Sequence, residues 1–213
     1  MFVQEIERRH SARRAEGAAF PEVDVRRVWR AVLAQLHEES LIGGESTDAR
    51  IERLCVEYEC RVNPVWPMPG ALDALKALRS AGVLLGVVSN AQFFTPLLFQ
   101  AFWKKSPAEL GFENDLCLWS WVSLEAKPGD ALFKKAAEEL MARGIAPPET
   151  LYIGNDMRND ILPAARVGFR TALFAGDKRS LRLREDDPEC ANLAPDAIVS
   201  EWGQLIAIVA RMG

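Results

Sequence analysis

The stretch Leu151-Tyr152-Ile153-Gly154-Asn155-Asp156-Met157-Arg158-Asn159-Asp160-Ile161-Leu162-Pro163-Ala164-Ala165-Arg166-Val167 decides the fold. Leu151 to Ile153 form an apolar run that reads as a buried strand, and the residues from Asp160 onward read as the opening of a helix. Asp156 and Asp160 therefore lie where a strand ends and a helix begins. In an open α/β sheet, ligands bind in the crevice outside the carboxyl ends of the strands. Two acids at such a tip repel each other unless a cation or a proton separates their charges. Magnesium is the simplest cation to expect, because it favours carboxylate oxygen. The same residues also suit a helix N-cap with a solvated acidic loop, since Asp and Asn are favoured at N-caps and Asp160 matches the positive end of a helix dipole.

Outward from this segment, helical and extended patterns alternate. A helix is expected over Ala71 to Ser80, with Leu72, Leu75 and Leu78 inward and Gly82 as its stop. A strand Val83 to Val88 follows, ending at Ser89-Asn90, and helical sequence runs through Leu97, Leu98 and Phe102. The next strand spans about Leu116 to Val122. A helix opens after Lys127-Pro128, carries Leu132, Phe133, Ala136, Ala137, Leu140 and Met141, and stops at Gly144. Strands at Thr171 to Ala175 and Ala197 to Val199, and a last helix bearing Trp202, Leu205, Ile206 and Val209, complete the pattern. Alternating β and α elements with apolar strands imply an α/β fold: a Rossmann-like parallel sheet covered on both faces.

The first 62 residues read differently. Val25, Val28, Trp29, Val32, Leu33 and Leu36 recur at helical spacing behind a candidate cap, Asp24. A second helix carries Ile51, Leu54, Cys55 and Tyr58 on one face, after the cap candidates Ser46 and Thr47. Three prolines between Asn63 and Gly70 exclude regular structure and mark a boundary. The expected organisation is a helical domain over residues 1–65 and an α/β core over residues 66–213.

Bulk properties exclude several classes. The 213 residues carry a net charge of −4 and a pI of about 5.4, which argues against a nucleic-acid surface. The basic stretch Lys178 to Arg184 is balanced by Glu185, Asp186 and Asp187, so it reads as a solvated loop or helix, with an anion-binding face as the alternative. Cys55, Cys60, Cys117 and Cys190 show no CxxC spacing and no disulfide framework, which fits a reduced, cytoplasmic setting. His10 and His37 lie far from the acids in sequence, so a zinc site is not expected. No apolar run approaches the ~20 residues of a membrane span, and the N-terminal decapeptide is too charged for a secretory signal. Nothing in the sequence fixes an oligomeric state.

Three expected strand ends carry polar residues in order: Ser89-Asn90, then Lys127, then Asp156 and Asp160. Singly, Ser89-Asn90 is also a plain turn, and Lys127 a surface lysine before a helix-opening proline. Together they resemble the haloacid dehalogenase-like (HAD-like) hydrolases over about residues 65 to 200, with a helical cap domain before them. Val87-Val88-Ser89-Asn90 is similar to that family's second motif, whose hydroxyl binds the transferred phosphate. Lys127 in Glu125-Ala126-Lys127-Pro128 is similar to the third, a lysine that neutralises nucleophile and phosphate charge. Asp156 and Asp160 are similar to the fourth, with Asn155 in place of its usual glycine. The resemblance implies Asp156 as the main magnesium ligand, assisted by Asp160 partly through water. It also implies a phosphate held by Ser89, Asn90 and Lys127, and a small phosphorylated substrate selected by the cap.

The family's first motif is an apolar strand ending in Asp-x-Asp, which supplies the aspartate nucleophile, and no Asp-x-Asp occurs in this sequence. Asp24 lies in Phe20-Pro21-Glu22-Val23-Asp24, which is not an apolar strand. By the resemblance that strand occupies the middle of the sheet, so a gap of roughly 9 to 10 Å is expected there. Facing edges buried without partners cost about 1–3 kcal/mol per unpaired group. The gap is therefore filled by a segment encoded upstream of Met1, closed by rearrangement, or filled by another chain. The expected activity is a magnesium-dependent phosphatase that is weak or inactive for want of its nucleophile; the alternative is a catalytically dead relative that binds a phosphorylated ligand or protein partner.

Overall fold

Local signals account for the helices near the amino terminus. In the computed structural model, which describes residues 1–211, α1 spans Phe2–Ala15, α2 Val25–Glu38 and α3 Asp48–Val62. The Asp24 carboxylate accepts the Arg26 N–H at 3.0 Å and caps α2, and the Thr47 hydroxyl caps α3. Phe2, Trp29 and Tyr58, one from each helix, meet with ring centroids 4.6 to 5.5 Å apart, in the range where tilted aromatic pairs attract. Within residues 20–62 the described backbone makes one isolated antiparallel bridge, Pro21 with Glu125.

After the Pro-rich segment come α4 (Ala71–Ser80), β1 (Leu85–Ser89), α5 (Leu97–Trp103), β2 (Phe112–Trp119), α6 (Ser120–Ser123) and α7 (Ala131–Met141). β3 (Leu151–Gly154), a turn of π-helix (Met157–Ile161), α8 (Leu162–Arg166), β4 (Arg170–Phe174), β5 (Ala197–Val199) and α9 (Gln204–Val209) follow. All strand pairs are parallel. One core packs α7 and α8 with Leu116, Leu118, Val88 and Tyr152; a second packs Leu78 of α4 and Leu205 of α9 with Leu85, Phe174, Val199 and Ile153; a third gathers Met157, Ile161, Leu173 and Cys190. Helices thus cover both faces of an α/β arrangement, as the alternating pattern predicts.

Several expectations are corrected. Trp121 and Val122 are not in a strand: β2 ends at Trp119, and Ser120 starts α6 instead. The buried Ser120 hydroxyl donates to Glu22 Oε2 at 2.8 Å and accepts the Ala91 N–H at 2.9 Å, so tertiary bonds override the β-propensity of the flanking tryptophans. The first strand starts at Leu85 rather than Val83 and includes Ser89; its register slips next to Gly86, where an added Cβ would sit 2.9 Å from the Leu116 carbonyl oxygen. Lys127 follows α6 rather than a strand, and Pro128 lies before the helix start at Ala131.

The gap expected in the sheet appears as a division into two: β1 pairs only with β2, and β3-β4-β5 form a separate ladder among the described residues. β1 and β3 meet through side chains. The Tyr152 hydroxyl of β3 reaches the Val88 carbonyl oxygen of β1 at 2.9 Å, and Lys127 Nζ reaches the same oxygen at 3.3 Å. Gly86 is exposed and all four β3 residues are only half-buried. Water therefore reaches edges that would be costly if dry.

Candidate functional site

Chain geometry brings Ser89, Asn90, Lys127, Asp156 and Asp160 to one pocket of about 400 Å³, completed by Asn155, Asn159, Ser180 and Arg182. Ser89 is the last residue of β1, and among the described residues its hydroxyl makes only a long 3.4 Å contact to the Asn90 carbonyl. The Asn90 side chain clamps the Lys127 backbone in both directions, accepting its N–H at 2.7 Å and donating to its carbonyl at 3.0 Å. That clamp places Lys127 without any strand ladder. Its Nζ donates to Asp160 Oδ1 at 2.5 Å, to the Tyr152 hydroxyl at 3.2 Å and to the Val88 carbonyl. The side chains of Lys127 and Asp160 are 9% and 7% exposed, so this is a buried pair.

Asp160 is held from four directions. Its Oδ2 accepts the N–H groups of Asn155 and Asp156 at 3.0 and 3.1 Å, while Oδ1 takes Lys127 and Tyr152. This packing requires Gly154, where an added Cβ would lie 2.3 Å from Asp160 Cβ. Burial, and then the Asp160 charge, push the Tyr152 hydroxyl well above its usual range, so it stays protonated, its one proton shared between Asp160 Oδ1 and the Val88 carbonyl.

Asp156 lies two residues past the end of β3 and caps the π-turn, whose Asp160 and Ile161 N–H groups share its carbonyl at 2.9 and 3.2 Å. π-Turns of this kind are frequent at functional sites. The Asp156 side chain accepts the Arg158 and Asn159 N–H groups, the Asn159 side-chain amide, and both Nε and Nη2 of Arg184 at 3.0 and 2.6 Å. Burial alone would raise its carboxyl. The Arg184 guanidinium and the two backbone N–H groups outweigh that and hold it below the ordinary value.

These donors are the oxygen type that a magnesium ion prefers, and one or two carboxylates with waters suffice for it. The residues fit such an ion at Asp156 provided that Arg184 yields; Asp160, already engaged at both oxygens, fits a role through water or through Lys127. Among the described residues, no group of three or more His, Cys, Asp or Glu side chains is gathered as a metal cluster.

Sequence reasoning missed Tyr152, Asn159 and Arg184. Tyr152 was hidden inside an apolar strand. Arg184 sat in the Lys178–Arg184 stretch read as solvated, yet charge balance carried a signal: two buried acids need two cations, and Lys127 supplies one.

A family model described as haloacid dehalogenase-like hydrolase matches residues 3–168. The rhythmically expressed gene 2 protein of Drosophila melanogaster is 26% identical over 162 residues, 72% of this chain and 58% of the relative. Phosphoglycolate phosphatase 1 of Pseudomonas aeruginosa is 28% identical over 162 residues, 75% of this chain and 56% of the relative. The chain thus spans less than two thirds of these relatives. The solved 2-haloacid dehalogenase from Pseudomonas syringae superposes with a TM-score of 0.56 at 20% identity, covering 89% of this chain and 73% of that one, a likeness of fold. No described helix is long and apolar enough to cross a membrane.

Proposed function

This chain belongs to the haloacid dehalogenase-like hydrolase family, and on that premise we propose that it binds a small phosphorylated metabolite in the Lys127 pocket, with phosphomonoester hydrolysis as the associated chemistry. The supporting observation is the gathering of Ser89, Asn90, Lys127, Asp156 and Asp160 around one polar pocket. Matches to phosphatases such as the Pseudomonas aeruginosa relative favour phosphate over halide chemistry. In this reading residues 1–65 are the cap and 66–213 the core.

Lys127 supplies positive charge to the phosphoryl oxygens, with its position fixed by Asn90 and Asp160. The Ser89 hydroxyl is free to turn toward a phosphoryl oxygen. Asp156 would hold a magnesium ion, while Asp160 keeps Lys127 and the Asp156 backbone in place. Bound magnesium would offset oxygen charge and orient the phosphoryl group.

A second reading, ligand binding without turnover, is favoured by one fact. Asp156 and Asp160 are the only acids lining the pocket among the described residues, and both are committed to internal cations. The test is hydrolysis of an aryl phosphate with magnesium, alongside calorimetric binding of inorganic phosphate, for the parent and Lys127→Ala. Magnesium-dependent turnover lost in the variant supports hydrolysis. Phosphate binding without turnover, weakened at least about tenfold in the variant by the loss of a charge-assisted contact, supports the second reading. Neither turnover nor binding overturns both.

A further inference from the structure

The Asp156 carboxylate has about four lone-pair directions, and the structure points five donors at them. Three of these donors belong to the π-turn itself, from Arg158 and Asn159. The other two come from a single guanidinium, Arg184, 28 residues further along the chain. A direct Asp156–metal bond therefore needs one donor set to leave. Two of the turn donors are backbone N–H groups and the third is the short Asn159 side chain of the same turn, whereas the Arg184 side chain is 39% exposed and reaches in from a loop.

The loop is arranged so that this side chain can leave alone. On one side of Arg184, Arg182 is fixed to the strand tip: its N–H donates to the Asn155 carbonyl at 2.8 Å, and its carbonyl accepts the Met157 N–H at 2.9 Å. On the other side, Asp187 pairs with Arg158 at 3.1 Å, and Cys190 is buried against Met157, Ile161 and Leu173. Rotation of one side chain, with both anchors kept, uncovers Asp156.

We propose that Arg184 is an internal counter-cation that competes with the divalent ion for Asp156, so that metal binding and release of Arg184 are one linked equilibrium. The proposal rests on the magnesium role given to Asp156 above. A site competent in only a fraction of molecules binds with its intrinsic Kd divided by that fraction. For a seated fraction of about nine in ten, removing the Arg184 charge tightens metal binding by about tenfold.

The experiment is calorimetric titration of magnesium chloride into the intact chain and into Arg184→Gln, Arg184→Lys and Asp156→Asn, with thermal midpoints recorded with and without magnesium. The expected result is tighter binding in Arg184→Gln than in the parent, no binding in Asp156→Asn, and a Arg184→Gln midpoint that is lower than the parent's without metal and recovers with it. Arg184→Lys keeps the charge but loses the two-pronged geometry, so it falls between parent and Arg184→Gln and serves if Arg184→Gln does not fold. Equal affinities in the parent and both Arg184 variants, with binding lost in Asp156→Asn, sink the competition while leaving the metal reading intact. Weaker binding in the Arg184 variants also sinks it and makes Arg184 a purely structural partner. No binding by any variant removes the metal reading and the competition together.

Discussion

Single residues set the site through close contact. Gly154 has no room for a methyl group, because Asp160 fills the space and is pinned there by four donors. Gly154→Ala is expected to cost about 1–3 kcal/mol or more through overpacking, read as a lower urea midpoint, with Lys127 losing its buried partner. A midpoint unchanged from the parent would show that Asp160 moves freely. Asp156 also makes stability depend on pH. Because the Asp156 carboxyl is held below its ordinary value, the unfolded chain takes up its proton first as pH falls. The stabilisation is full above about pH 4, the unfolded carboxylate value, and is lost as pH drops through the lower folded value. Parent stability should therefore fall more steeply below about pH 4 than that of Asp156→Asn in urea titrations; parallel profiles would deny the shift. At this scale much was legible. Ser89, Asp156 and Asp160 each stand beside an apolar run, where a polar residue is conspicuous, and Lys127 precedes a proline that opens a helical pattern. Arg184 and Tyr152 were not, because their partners are distant in sequence and only folding shows which oxygen they reach.

Elements were read well where one local pattern decides them. The 3.6-residue spacing and the Asp24 cap give α2, and Gly82 and Gly144, at φ of +74° and +79°, end their helices in the left-handed region that glycine tolerates. They were misread where distant bonds decide, as in α6, whose Ser120 answers to Glu22 and Ala91. The junction between the amino-terminal helices and the α/β portion is of that second kind. Arg26 of α2 lies 4.9 Å from the ring centroids of both Phe93 and Trp121, while pairing with Asp24 and with Glu52 of α3. Gln92 adds bonds to the Val23 carbonyl and the Val25 N–H. Arg26→Ala is expected to remove about 1–2 kcal/mol of cation–π attachment and to speed amide exchange in α2 and α3 while β3 and β4 keep their protection. Uniform acceleration across the chain would mean that the helices are not fastened there.

Across the molecule, the parallel α/β class and its two helical layers were foreseeable from the alternation of patterns. The division of the sheet was foreseeable only as a discontinuity of unknown outcome, since pairing between strands leaves no trace in either strand's own sequence. The side-chain bridge from Lys127 and Tyr152 to Val88 had no sequence signal at all. That division has a consequence for cooperativity. Backbone ladders transmit order residue by residue, and none runs from β1-β2 to β3-β4-β5 among the described residues; they are joined by the side-chain bonds of Tyr152 and Lys127 to Val88 and by the apolar contacts of α4, α7, α8 and α9. Proteins open in contiguous units whose limits follow such weak seams. In native-state hydrogen exchange with rising denaturant, amides of β1 and β2 should merge into one isotherm and those of β3, β4 and β5 into another at higher free energy. A single shared isotherm would show that the helical layers alone weld the two halves into one melting unit. With two isotherms, a partly opened form keeps the Asp156 turn folded while Ser89 has come away, so the two ends of the pocket part company before the chain unfolds.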